Sequence, residues 1–212
     1  SGGWAAQPLV IGLSAEPWEG VSFSEELLVK LAGDWLQRST TQLRAGGFMA
    51  SFVAEPLTPV ATVKLAYEDA TGPLWAWKDR ITVEAGLRTN WSMNVLRATD
   101  NLFEFAPRLT LTVHEALDLT FSSLSVNNKT YRYIPGLAAE VGDPAGDVNP
   151  IVDLLRSFNF FNPADRYASA FKIRSLSLKA VHHLHDWDLS FEYTGAPKLV
   201  TTPIKQYEWS PT

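Results

Sequence analysis

The sequence predicts an all-β fold: an antiparallel up-and-down meander that forms a β-barrel or part of one, with a long loop containing a short helix. Three observations predict it. Residues 79–96, DRITVEAGLRTNWSMNVL, alternate apolar and polar side chains over a long run, which is the period of a strand with two unlike sides. Segments of the same kind recur along the chain, joined by short polar turns. Two regions, residues 23–38 and the long excursion 127–170, break that rhythm.

Taken in order, residues 23–38, FSEELLVKLAGDWLQR, fit two readings. Phe23, Leu27, Leu31 and Trp35 stand four apart, as on an amphipathic helix capped by Ser24, and LLVKLAGDWL reads nearly as well as a strand. QLRAGGFMASFVA (42–54) reads as a weaker strand with a bulge or kink at Gly46-Gly47. In VATVKLAYE (60–68), Ala61, Val63, Leu65 and Tyr67 oppose Thr62, Lys64 and Glu68. Pro59 and Thr71-Gly72-Pro73 predict turns at its two ends.

The strand at 79–96 sets Ile81, Val83, Ala85, Leu87, Thr89, Trp91, Met93 and Val95 on one side. Thr82, Glu84, Gly86, Arg88, Asn90, Ser92 and Asn94 fall on the other. It is well beyond the ~5–6 residues usual for strands. RLTLTV (108–113) then passes through a turn at His114-Glu115 into ALDLTFSSLSV (116–126). FKIRSLSLKAVHHL (171–184) and DWDLSFEY (186–193) form a hairpin.

The excursion at 127–170 opens with a Gly-, Pro-, Asn- and Asp-rich loop. It then offers NPIVDLLRSF, with Asn149 as N-cap, Pro150 at the first helical position, and Ile151, Leu154, Leu155 and Phe158 on one side of a short helix. Connections beyond ~12–15 residues tend to carry function or to be disordered. This one reads as a large loop at the surface or entering a lumen, and the whole chain, 1–212, as a single β domain.

Composition narrows the function. The net charge of −5 leaves no electrostatic footprint for nucleic acid. The absence of Cys removes thiol catalysis, thiolate metal sites and disulfides, and suits an envelope protein that crosses an oxidising space. No stretch approaches the ~20 apolar residues of a spanning helix. No signal peptide opens the chain, and the start, SGGWAAQ, reads as a processed, trimmed or tagged end.

Chemistry has few candidates. In HHLHDWD (182–188), His183 and His185 stand two apart on one side of a strand, with Asp186 and Asp188 nearby. Two imidazoles so placed share a metal only if further ligands join them. A polar strand end is the better reading, so no metal, cofactor or catalytic residue is expected. There is no G-x-S-x-G elbow, and Ala45-Gly46-Gly47 lacks the Lys and helix of a phosphate loop. The chain does not read as an enzyme.

Alternating strands serve soluble and membrane sheets alike, and the pattern leaves both open. The alternative is a soluble β-sandwich or lipocalin-like barrel that binds an apolar or sugar ligand. In an outer-membrane barrel the apolar side meets lipid and the polar side lines a wet interior. Ile81, Val83, Leu87, Trp91 and Val95 would then face lipid. Glu84, Arg88, Asn90, Ser92 and Asn94 would hydrate the lumen or meet sugar and phosphate headgroups. Strand length and the charges of both signs on that polar row favour the membrane. So do the aromatic residues flanking the strands: Trp75, Trp77, Tyr131, Tyr133, Trp187, Tyr193, Tyr207 and Trp209.

RATDNLFEFAPRLTLTVHEALDLTFSSLSVNNKTYRYIPG (97–136), NPIVDLLRSFNFFNPADR (149–166), FKIRSLSLKAVHHLHDWDLSFEYTGAPKL (171–199) and YEWSPT (207–212) fall in the stretch from about residue 95 onward, a little over half the chain. They resemble the C-terminal barrel portion of LptD-like outer-membrane proteins of spirochaetes, the lipopolysaccharide-assembly or organic-solvent-tolerance family. The resemblance implies a bacterial outer-membrane β-barrel segment in lipopolysaccharide or glycolipid transport and assembly. It implies lipid or lipopolysaccharide and the membrane as partners, with a lipoprotein plug or other envelope assembly proteins alongside.

Overall fold

In the computed structural model, residues 7–30, 35–58, 60–78, 80–144, 148–159, 161–201 and 205–211 are described. The meander begins with β1 (Leu9–Trp18), β2 (Val21–Val29), β3 (Leu36–Ala45), β4 (Phe48–Glu55), β5 (Val60–Trp77) and β6 (Ile81–Asn94). It continues with β7 (Arg97–Val113), β8 (Leu117–Asn127), β9 (Phe171–Leu184), β10 (Trp187–Thr201) and β11 (Lys205–Pro211). Between β8 and β9 lie a 3-10 turn (Thr130–Tyr133) and the helices α1 (Leu137–Val141), α2 (Pro150–Ser157) and α3 (Pro163–Ala168).

The strands form one sheet in sequence order, each pairing antiparallel with the next, and the sheet is not closed. The all-β meander expected from the alternation is therefore the fold. Its connections differ sharply between its two ends. At one end β1–β2, β3–β4, β5–β6, β7–β8 and β9–β10 are joined by two- or three-residue turns. The other end carries connections of unequal length, from Val95-Leu96 to the whole excursion.

Several elements differ from expectation, each for a local reason. Residues 23–29 and 36–38 are strand rather than helix, in β2 and β3, where period-two alternation is satisfied by the neighbouring strands. Leu31 lies outside the described residues. Gly46-Gly47 is not a bulge within one strand but the hairpin turn between β3 and β4. Gly46 has a φ of +56°, which a side chain seldom adopts. A Cβ on Gly47 would sit 2.2 Å from the Glu68 carbonyl oxygen.

Thr71-Gly72-Pro73 ends nothing. β5 runs through it to Trp77, and the register against β6 shifts on either side of Pro73. Proline tolerates such bulges because no ladder N–H is asked of it. Pro59 lies outside the described residues. β7 is much longer than RLTLTV, starting at Arg97 and carrying Pro107 within it. Its ladder with β8 skips Ala106 and Pro107, resuming at Arg108↔Ser122. The strand expected over 79–96 stops at Asn94. The Asn94 side chain accepts a hydrogen bond from Leu96 N at 3.0 Å and so closes the turn that holds Val95. Asp79 is outside the described residues.

The excursion helix forms as its cap predicts. Asn149 Oδ1 accepts from Ile151 N at 2.9 Å and Val152 N at 3.2 Å, with Pro150 at the first helical position. Its burial is inverted, however: Asp153 and Ser157 are buried, while Ile151, Val152 and Leu155 are exposed.

Candidate functional site

Register fixes which residues share a side, because directly paired residues project the same way. Starting from Leu87, the pairs Leu87↔Pro107 and Ala85↔Leu109 lead through Leu109↔Phe121 and Phe121↔Leu178 to Tyr193↔Leu178. In the other direction Leu65↔Trp91, Ala50↔Leu65, Leu43↔Ala50 and Phe23↔Leu43 lead to Ala15↔Phe23. One side of the sheet is thus predominantly apolar across β1 to β10.

No second layer of described residues covers most of it. Leu13 is 64% exposed, Phe191 61% and Leu189 57%, against the near-complete burial such side chains find in a soluble core. Of the residues expected to face lipid, Ile81, Val83, Leu87 and Trp91 lie on this side and are half-buried. Val95 is exposed, but in the turn rather than on the strand.

Two carboxylates interrupt the apolar side, and each is met by hydroxyls. Glu25 accepts from Ser39 Oγ at 2.7 Å and from Thr41 Oγ1, and Asp69 accepts from Tyr67 OH at 2.9 Å. Pairing of this kind lowers the cost of setting a charge among apolar side chains.

The tight-turn end carries an aromatic rim on the same side. Trp18, Trp75, Trp77 and Trp187 pair with Val21, Val83, Ile81 and Leu184, and all four indoles are exposed. Trp75, Trp77 and Trp187 were expected at strand ends. Trp18 was missed because β1 had not been recognised. Tyr193 lies inside β10, Tyr131 and Tyr133 belong to the excursion, and the side chains of Tyr207 and Trp209 are outside the described residues.

The opposite side is polar. Glu84, Arg88, Asn90, Ser92 and Asn94 all fall on it. Asn90 Nδ2 donates to Glu104 Oε2 at 3.3 Å, and Asn94 is buried at its turn. Arg88 faces Glu68 directly across β5–β6 and lines a hollow of about 460 Å³ with Glu68, Arg108, Ser122 and Ser175. Two guanidinium groups in one hollow offer the forked donors that match phosphate or carboxylate. Arg108 went unremarked in the sequence because β7 was read too short. Alternation from Leu102 through Glu104 and Ala106 puts Arg108 on the polar side of β7, and only the register with β6 sets it near Arg88.

At the end with unequal connections the excursion is seated on the apolar side. Trp91 Nε1 donates to Thr130 Oγ1 at 3.0 Å, and Asn101 Oδ1 accepts from Thr130 N at 2.8 Å and Thr130 Oγ1 at 2.9 Å. The ring of Phe171 stacks on Tyr133 and meets Phe103 edge-on. Arg132 grips Asp143 through Nε and Nη2, both at 2.8 Å, and Tyr131 OH donates to the same carboxylate at 2.9 Å. The hydrogen bond to Asp143 holds the Arg132 guanidinium above its ordinary pKa. Burial, then the bond to Asp143, raises the Tyr131 phenol. Burial, then the bond to Asp153, pushes Tyr133 up well beyond it.

The histidine cluster separates. His183 stands between two carboxylates on the polar side, Nε2 at 3.1 Å from Asp118 and Nδ1 at 2.9 Å from Asp188. Serving both requires both nitrogens to donate, which is the imidazolium form. His182 projects to the apolar side, and His185 lies in the turn. Among the described residues no group of three or more His, Asp or Glu could hold a metal ion, and no helix is long and apolar enough to cross a membrane. In comparisons with known proteins no family model matches the chain, and no curated protein or solved structure matches it.

Proposed function

We propose that this chain is a segment of a bacterial outer-membrane β-barrel that moves lipopolysaccharide or a related glycolipid, acting by binding and passage rather than by catalysis. The observation that carries the membrane part is the uncovered apolar side spanning ten strands and rimmed by tryptophans. In water such a surface would far exceed the few hundred Å² that soluble monomers expose in one patch. Against hydrocarbon it needs no cover.

The dimensions support the same reading. Ile81, opposite Trp77 on the rim, and Trp91 stand ten residues apart on β6. At ~3.3 Å per residue and a tilt of ~40°, that spans on the order of 25 Å across a bilayer, the height of an outer-membrane apolar band. Tight turns at one end and a long excursion at the other match the periplasmic and extracellular ends of such barrels. Barrel closure then requires both edges of the sheet, β1 and β11, to be paired, since lipid tolerates no open edge.

The glycolipid cargo rests on the resemblance carried by residues 97–136, 149–166, 171–199 and 207–212, and on the polar hollow with Arg88 and Arg108. Envelope assembly proteins, including a lipoprotein plug, are the partners this role calls for. A soluble sandwich would need a second sheet over the apolar side, and among the described residues only the excursion lies there. Leu87→Arg tests the reading. Near the midplane it costs insertion about 2–4 kcal/mol, seen as reduced recovery in the membrane fraction, while Arg88→Gln on the polar side inserts normally. Equal insertion of both variants would refute the assignment of sides.

A further inference from the structure

We infer that the outer surface of the excursion is itself immersed in lipid: the apolar side of α2 lies in the headgroup and acyl boundary of the bilayer, and an acyl chain fills the groove at the start of that helix. The inference rests on the membrane-spanning reading above and extends it to a surface that reading does not require.

The first support is the inverted burial of α2. A helix on a water-soluble domain turns its apolar stripe inward. Here Ile151 and Leu155, four apart and hence on one side, are 67% and 65% exposed. The inward residues are Asp153 and Ser157, held by polar bonds: Asp153 accepts from Tyr133 OH at 2.6 Å and from Ala170 N at 3.1 Å, and its carbonyl accepts from Ser169 Oγ at 2.8 Å. These bonds fix the roll of the helix, so its apolar residues cannot turn inward without breaking them.

Continuity is the second support. A groove of about 310 Å³ is lined by Trp91, Phe103 and Phe171 from the apolar side of the sheet and by Tyr133, Ile134 and Pro150 from the excursion. Pro150 is the first residue of α2. The groove therefore joins the sheet surface proposed to meet hydrocarbon with the start of the exposed helix, and its lining suits a hydrocarbon chain. The excursion stands at the rim of that surface, the depth at which amphipathic elements lie in the interface. Arg156, exposed on the last turn of α2, can extend toward lipid phosphates while its stem stays with the apolar residues.

The chain has no cysteine, so single reporters are clean. Leu155→Cys and Leu87→Cys, each carrying an environment-sensitive fluorophore, are compared in phosphatidylcholine vesicles with doxyl-labelled acyl chains or with aqueous iodide. Ile151→Cys replaces Leu155→Cys should that variant fail to fold. The expected result is several-fold stronger quenching by lipid doxyl than by iodide at both sites, with the excursion reporter quenched best by doxyl near the headgroups. Iodide quenching at Leu155 with doxyl quenching at Leu87 overturns the inference and leaves the spanning reading standing. Failure of doxyl to quench Leu87 overturns the spanning reading, and the inference with it.

Discussion

The hydroxyl of Tyr133 donates to the Asp153 carboxylate at 2.6 Å, and through that bond the 3-10 turn at the start of the excursion is fastened to the helix in its middle. The same carboxylate takes Ala170 N at 3.1 Å, one residue before β9 begins. Asp153 is thus the point where three parts of a loop of some forty residues meet. It is 3% exposed, so a replacement leaves its partners short of water as well as of each other.

Asp153→Ala should therefore loosen the excursion without unmaking the sheet. Leaving a half-buried hydroxyl and a buried amide without their partner costs on the order of 2–4 kcal/mol, while the β8–β9 ladder is untouched. Limited proteolysis is the measurement: cleavage within residues 128–170 accelerates by at least about tenfold, as that energy implies, and the strands stay protected. Tyr133→Phe removes one bond to a charged group and gives a smaller acceleration.

Alkaline pH should produce the same loosening without mutation. The folded pKa values of Tyr131 and Tyr133 lie above the ordinary 10.0 of the phenol. Their contribution is fully present below that value. It is lost as pH climbs toward the folded values, because the released loop gives up these protons more readily than the docked one. Phenolate absorbance, compared with that of Tyr131→Phe and Tyr133→Phe, should show these two tyrosines ionising late and together with exposure of the excursion to protease. Tyrosines that all ionise near 10 would contradict the docking described.

The β3–β4 turn gives a prediction independent of function. Gly47→Ala places a methyl 2.2 Å from the Glu68 carbonyl oxygen, whereas the same change at Gly12 meets nothing within 4 Å. Glu68 N also donates to the Gly47 carbonyl at 2.9 Å, so the strand cannot simply retreat. Gly47→Ala should destabilise by about 1–3 kcal/mol, the range for overpacked positions, and Gly12→Ala by far less. Denaturant titration of the two variants in detergent tests the difference.

The fold was legible where one side of a strand is apolar over a long run, because alternation sets which side each residue faces, although β1, with Leu9, Ile11 and Leu13 on one side, escaped it. β6 and the β9–β10 hairpin were readable for that reason. β2 and β3 were ambiguous because Phe23, Leu27 and Trp35 satisfy a helical spacing too, and only the neighbouring strands decide. Pro107 and Pro73 hid the lengths of β7 and β5: proline announces a turn, yet a register shift or a skipped ladder pair accommodates it. In the candidate site the row from Glu84 to Asn94 was readable from spacing. Its partners Glu68 and Arg108 were not, since pairing across strands is not written in any one segment. The seat of the excursion was hidden for the same reason. Trp91 and Thr130 are 39 residues apart.

A single-cysteine scan of β6 from Ile81 to Asn94, with spin labels read for access to oxygen and to a water-soluble nickel chelate in reconstituted membranes, tests the central claim most directly. The account predicts a period of two: labels at 81, 83, 85, 87, 89 and 91 meet oxygen in the lipid, and labels at 82, 84, 86, 88 and 90 meet the chelate in water. The reverse phase, or odd positions closed to both probes as in a packed soluble core, would contradict it.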